Sequence, residues 1–308
     1  MSALAFTLLA LTLVGPVPAV LARASWPMRA PRAAIVLWQS IAVAAVLSAF
    51  SAGLAIASRL FAPGPDGRPT ATVTSEIAAL GWPLWLAYVS VFAITLLIGA
   101  RLLVAGVQVA VATRRRRAHH RMVVDLLGDS RQGMSGLRVL QVDEPLAYCL
   151  PGVRSRVVLS QGTLSALTDT ELVAILSHER AHLRARHDLV LEAFIAVHTA
   201  FPRFVRSGSA LAAVRLLVEM LADDAAVRTA GPAPLARALV ACASGHTPSG
   251  ALAAGGPTTV IRVRRLCGQP NSLLLSLAAY VAAAAVLVVP TLAVAVPWLT
   301  ELHRLFLF

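Results

Sequence analysis

His178-Glu179-Arg180-Ala181-His182 carries the residue types of a metal-dependent hydrolase in the spacing that such chemistry requires. Histidines four residues apart share one face of a helix and can bind a single zinc ion, while the glutamate beside the first reaches a water on that ion. A bare HExxH recurs by chance, so a second motif matters. Glu219-Met220-Leu221-Ala222-Asp223 offers a third ligand and a carboxylate behind it, with no competing cysteine set. On this reading His178, His182 and Glu219 hold Zn2+, Glu179 is the general base, and the reaction is amide hydrolysis.

Asp188 is the rival third ligand. A chain returning to the metal so soon after His182 needs a glycine at position 185 to turn, and that position is alanine. Leu183-Arg184-Ala185-Arg186 are good helix formers, so the helix is expected to run on unbroken to Asp188. Six residues at 3.6 per turn then carry Asp188 about 240° around from His182, away from the metal. Thr168 with Glu171 forms a capping box that marks the start of this helix. Val214 to Asp223 reads as a second helix, on which Asp223 shares a face with Glu219 and could accept the free ring N–H of a zinc histidine, fixing its tautomer.

These elements sit in an unusually apolar chain. Hydrophobic residues make up 57% and charged residues 14%, with a mean hydropathy of +0.74, which predicts a polytopic membrane protein. Four runs, 3–22, 33–58, 82–107 and 273–296, are long enough to cross roughly 30 Å of hydrocarbon, and tryptophans lie at or near their ends. The start, Met1-Ser2-Ala3, has no positive charge, which favours an uncleaved span over a secretory signal. All 27 basic residues are arginine. Arg23, Arg29 and Arg32 lie between the first two runs, and Arg114 to Arg117 with Arg121 follow the third, whereas residues 61–80 are balanced in charge. This asymmetry predicts a multi-pass protein of the cell membrane with both termini outside and the domain after the third run in the cytoplasm. Arg101, inside the third run, is expected to snorkel to the surface or face the other spans. The arginine run and the net charge of +12 fit a stop-transfer segment on anionic lipid, because the run abuts a span and no aromatic interleaving accompanies it. The lipid bilayer is thus the expected partner, and direct nucleic-acid binding is not.

The predicted organisation is a membrane domain of three transmembrane helices (1–113), a peptidase domain (114–271), and a fourth transmembrane helix with a short outward tail (272–308). In the middle part, Leu137–Val142 and Val157–Leu159 look like short strands joined by a turn-rich, non-helical link from Pro145 to Gly152. A strand of this kind can pair with a substrate backbone by edge addition. Leu189 to Phe204 is apolar, too short to span and interrupted by Pro202, so it reads as an interfacial or re-entrant hairpin; residues 244–259 read as a flexible loop. Cys149, Cys242 and Cys267 are odd in number and lack zinc spacing, so they read as structural and agree with a reducing compartment. His119, His120, His187, His246 and His303 have no partner at ligand spacing, although Tyr148 or His246 could stabilise the oxyanion of a tetrahedral intermediate.

The three apolar runs, Pro145-Leu146-Ala147-Tyr148 with Pro151-Gly152, Val157-Val158-Leu159-Ser160, the HExxH with Arg186 and Asp188, Ala200-Phe201-Pro202, Glu219 with Asp223, and the fourth run follow one another in an order that resembles the BlaR/MecR-type membrane metallopeptidases. The resemblance covers nearly the whole chain. HtpX-like and CAAX-processing zinc peptidases share the Glu-x-x-Ala-Asp form. The resemblance implies a mainly α, polytopic membrane protein with four transmembrane helices and an α+β gluzincin domain, using the same ligands and base, that signals by cleaving a winged-helix transcriptional repressor. The antibiotic sensors of that type continue into an extracellular penicillin-binding domain, whereas this chain ends at Phe308, so a signal is expected to enter through the spans or a separate sensor protein. Two other classes stand beside this one: an HtpX-like quality-control protease, and a non-catalytic membrane scaffold. Arg180, Arg184 and Arg186 place the motif at a surface rather than in hydrocarbon, which disfavours intramembrane proteolysis.

Overall fold

The computed structural model describes residues 2–57, 73–130, 136–201, 208–243, 252–253, 258–268 and 271–306. Apolar segments that must satisfy their own backbone polar groups form helices: α1 (Ser2–Val14), α2 (Pro16–Arg23), α3 (Pro31–Ala57), α4 (Val73–Leu80), α5 (Trp82–Leu127) and, at the far end of the chain, α12 (Leu273–Phe306). Phe6–Arg23, Pro31–Gly53, Trp82–Leu127 and Leu273–Ala293 are long and apolar enough to cross a membrane. The first of these is not one helix. Gly15, at φ −99° and ψ −88°, separates α1 from α2, and Pro16 with its fixed φ starts the second. The third overruns its expected end at 107, because the arginines and alanines that follow are helix formers and no glycine or proline intervenes before Gly128. Its 46 residues extend about 69 Å, more than twice the thickness of a hydrocarbon layer, and the second half of α5 packs beside the central domain of the chain.

That domain holds a five-stranded sheet, β1 (Asp129–Ser130), β2 (Leu137–Leu140), β3 (Ala147–Leu150), β4 (Arg156–Ser160) and β5 (Leu252–Ala253), in the order β1-β2-β4-β3-β5. β2 and β4 run parallel and the other pairs are antiparallel. The link from Pro145 to Gly152, expected to be turn-rich and non-helical, contributes a strand as well: Tyr148-Cys149-Leu150 suits a pleated surface buried on both sides. Ala147, Cys149, Val157 and Leu159 pack on one side against Ala174 and Ile175, and Tyr148, Leu150 and Val158 pack on the other against Val124 of α5. Two residues of the segment expected as a flexible loop, Leu252 and Ala253, pair with Cys149 and Tyr148 and so take the outer edge of β3.

The remaining helices are α6 (Gln161–Ala166), α7 (Asp169–Ala185), α8 (His187–Ala200), α9 (Gly208–Ala230), α10 (Pro232–Ala241) and α11 (Thr259–Leu266). α7 begins at the expected capping box, with Thr168 N–H donating to Glu171 Oε2 at 3.0 Å. It does not continue to Asp188. Arg186 adopts the left-handed conformation, φ 52° and ψ 42°, and the chain restarts as α8. Burial of an ion cluster accounts for the turn: Arg117 of α5 sits 3.0 Å from Asp188 and 2.7 Å from Glu192. α8 is a continuous helix along α5, while Pro202, the interruption of the expected hairpin, lies outside the described residues; Arg101 Nε donates to the last carbonyl of α8, that of Ala200, at 3.0 Å. Arg101 thus faces a neighbouring helix, and Arg117 leaves the lipid-facing run to which its sequence assigned it. α9 joins the two halves of the molecule. Val214, Leu217, Val218 and Met220 pack with Trp38 and Ile41 of α3, and the opposite side of the helix meets α7.

Candidate metal centre

Helical periodicity places three donors at the α7–α9 contact. His178 and His182 are one turn apart on α7 with their Nε2 atoms 3.2 Å apart, and Glu219 of α9 brings Oε2 to 3.5 Å from the first ring and Oε1 to 3.6 Å from the second. Two nitrogens on a tetrahedral zinc ion at 2.0–2.1 Å stand about 3.3–3.4 Å apart, so a triangle with these edges fits that ion. Both rings are fully buried and Glu219 nearly so. Each ring spends Nδ1 on the protein and keeps Nε2 for the triangle. His178 Nδ1 lies 3.0 Å from Asp223 Oδ1, and His182 Nδ1 lies 3.0 Å from His187 Nδ1.

Glu179 is completely buried beside the triangle, where the Cys149 thiol of β3 is a hydrogen-bond donor to its carboxylate. Loss of solvent pushes its pKa up to about 7, where a carboxylate can both accept and return a proton. Burial works to lower His178, but the Asp223 and Glu219 carboxylates more than offset it and hold the ring up at about 9. His182 and His187, with less carboxylate support, are pushed down by burial to about 3 and about 4. Burial would raise Glu219, yet His182, His178 and Arg262 together hold its carboxyl below the usual range.

Asp188 is not part of the triangle, as the sequence argument expected, although the reason differs: the helix breaks, and the side chain is held on Arg117. Tyr148, considered for oxyanion stabilisation, faces the other side of the sheet, where its hydroxyl is 3.0 Å from His120 Nε2. Side-chain alternation along β3 sends Cys149, not Tyr148, toward α7. His246 lies outside the described residues. Two members of the site escaped sequence reasoning. His187 reaches His182 because the turn at Arg186 folds it back. Arg262 of α11 is 1% exposed and lies 2.6 Å from Asp223 Oδ1 and 3.1 Å from Glu219 Oε2. Two buried acids on one helix face require a cation nearby, and that requirement was the available signal.

A sequence profile of peptidase family M48 matches residues 112–269. The chain belongs to peptidase family M48. M48 peptidases are zinc-dependent metallopeptidases, and with its apolar helices this chain is a membrane metallopeptidase. The M48 match opens inside α5 and closes just beyond α11, so it takes in every residue of the triangle together with Glu179, Asp223, His187 and Arg262. Neither the curated proteins nor the solved structures yielded a match to the chain.

Proposed function

We propose that the chain is a zinc metalloendopeptidase of the gluzincin type with a cytoplasmic active site, which signals by cleaving a small winged-helix transcriptional repressor. The observation that carries the chemistry is the fully buried Glu179 carboxylate beside three donors whose spacing suits one zinc ion. His178, His182 and Glu219 would hold the metal, which supplies a Lewis acid that polarises the scissile carbonyl and makes water a stronger acid. Glu179 takes the proton of the attacking water and delivers it to the leaving amine. Asp223 and His187 hold the two rings in the tautomer that leaves Nε2 free, and Arg262 balances the charge of Asp223 and Glu219. The repressor as substrate rests on the BlaR/MecR-like order of motifs. The Glu219-x-x-Ala222-Asp223 form favours a second reading, an HtpX-like quality-control protease of membrane proteins.

A paired comparison tests the assignment. Glu179→Gln is expected to retain one zinc per chain by elemental analysis and to lose peptide-bond cleavage, while Glu219→Ala loses the metal and Asp188→Ala keeps it. Cleavage retained by Glu179→Gln removes the mechanism. Proteomic comparison of cells carrying the wild type or Glu179→Gln then separates the two readings: a single uncleaved repressor supports signalling, and accumulation of many membrane proteins supports quality control.

A further inference from the structure

Three candidate span ends meet beside α9 and α11. Arg23 closes the first span, Pro31 opens the second and Leu273 opens the fourth, whose preceding residue, Ser272, donates its N–H to Arg29 O at 2.8 Å. Between the turn Trp26–Arg29, α9 and α11 lies a cavity of about 650 Å³ whose wall is divided by chemistry. Leu21, Leu217 and Trp38 contribute apolar surface to its lining, and Arg23, Arg29 and Arg264 contribute guanidiniums. A fourth arginine there, Arg265, is held by Asp224 at 2.7 Å, but Arg23, Arg29 and Arg264 are exposed and form no ion pair among the described residues. Three guanidiniums around one opening repel one another unless an anion joins them, and at the end of a membrane span the abundant anion is a lipid phosphate. Trp38, 2% exposed, has an indole N–H without a hydrogen-bond partner among the described residues, and the same residue lines a smaller apolar cavity of about 160 Å³ among α1, α3 and α8.

We propose that this cavity binds one anionic phospholipid, with its phosphate on Arg23, Arg29 and Arg264 and its acyl chains along Leu21, Trp38 and Leu217. The site is separate from the metal centre but built on the same helices: Leu217 precedes Glu219 on α9, and Arg264 follows Arg262 on α11. An occupant therefore bears on the two helices that supply the third metal donor and its buried counter-charge.

The test uses the full chain in nanodiscs of phosphatidylcholine, with or without phosphatidylglycerol, and native mass spectrometry to count the lipid retained after release. One phosphatidylglycerol per chain is expected, with phosphatidylcholine lost. Combined Arg23→Gln, Arg29→Gln and Arg264→Gln should weaken retention roughly a hundredfold, while Arg114→Gln, Arg115→Gln and Arg116→Gln, which remove the same charge from another exposed run beside a span, leave it unchanged. If the first combination fails to fold by circular dichroism, the three single changes decide, each expected to weaken retention about fivefold. Equal loss in both combinations would show only the general field of the surface and overturn the proposal. Equal retention of phosphatidylcholine, or displacement of the lipid by millimolar inorganic phosphate, would overturn it as well, the latter by assigning the arginines to free phosphate.

Discussion

At the residue scale, the centre is organised by what each imidazole does with its second nitrogen. His178 leans on a carboxylate and His182 on another imidazole, so the two rings titrate very differently although they lie one turn apart. His187→Ala removes the partner of His182 and is expected to lower zinc affinity about 10- to 100-fold, read by chelator competition, with the exposed Arg184→Ala as the unaffected neighbour. Metal uptake should also depend on pH with a definite sign. In the metal-free site His178 holds a proton up to about pH 9, while His182 is already neutral and Glu219 already ionised at pH 7. Each ion bound near neutrality must therefore displace about one proton, and affinity should rise roughly tenfold per pH unit from 7 to 9 before levelling off. Calorimetry in buffers of different ionisation enthalpy measures the released proton, and uptake independent of pH would contradict this electrostatic arrangement. The pairing of His178 with His182 and of Glu219 with Asp223 was legible in the sequence, because helical period alone brings i and i+4 onto one face. His187 and Arg262 were not, since the one depends on a backbone reversal and the other on packing between helices far apart in the chain.

At the element scale, Arg186 is the hinge of the argument. Four helix formers in a row predicted continuation, and propensity lost to the burial of Asp188 and Glu192 on Arg117. The side chain of Arg186 is exposed and the residue holds a left-handed conformation that costs a non-glycine residue about 1 kcal/mol. Arg186→Gly is thus expected to stabilise the protein by about 0.5–1 kcal/mol in detergent unfolding, whereas Arg186→Val, β-branched at a positive φ, should destabilise it. Loss of stability in the glycine variant would mean that the arginine side chain, not the backbone, holds the turn. β3 was missed for a related reason. A short strand buried on both faces has no alternation to reveal it, and its prolines and glycine advertise turns.

At the scale of the whole molecule, composition was enough to foresee four helical stretches long and apolar enough to cross a membrane, because hydrocarbon thickness sets a length that sequence can meet or fail. It did not show that α9 packs against the membrane helices on one side and completes the metal triangle on the other, since that double duty depends on tertiary packing. The arginine asymmetry yields a prediction of sidedness: in intact cells, impermeant thiol reagents should label cysteines introduced at positions 67 and 308 but not at 130 or 250. Labelling at 130 would reverse the orientation. One further consequence follows from α5. A helix with no break from its apolar half to the half beside the sheet is a torsionally stiff shaft, so turning the apolar half turns the other half by the same angle. Arg117 sits on that shaft, clamping the start of α8 immediately after the HExxH helix. At a side-chain radius of about 6 Å, a twist of roughly 20° would carry its guanidinium about 2 Å, enough to unlatch both carboxylates at once.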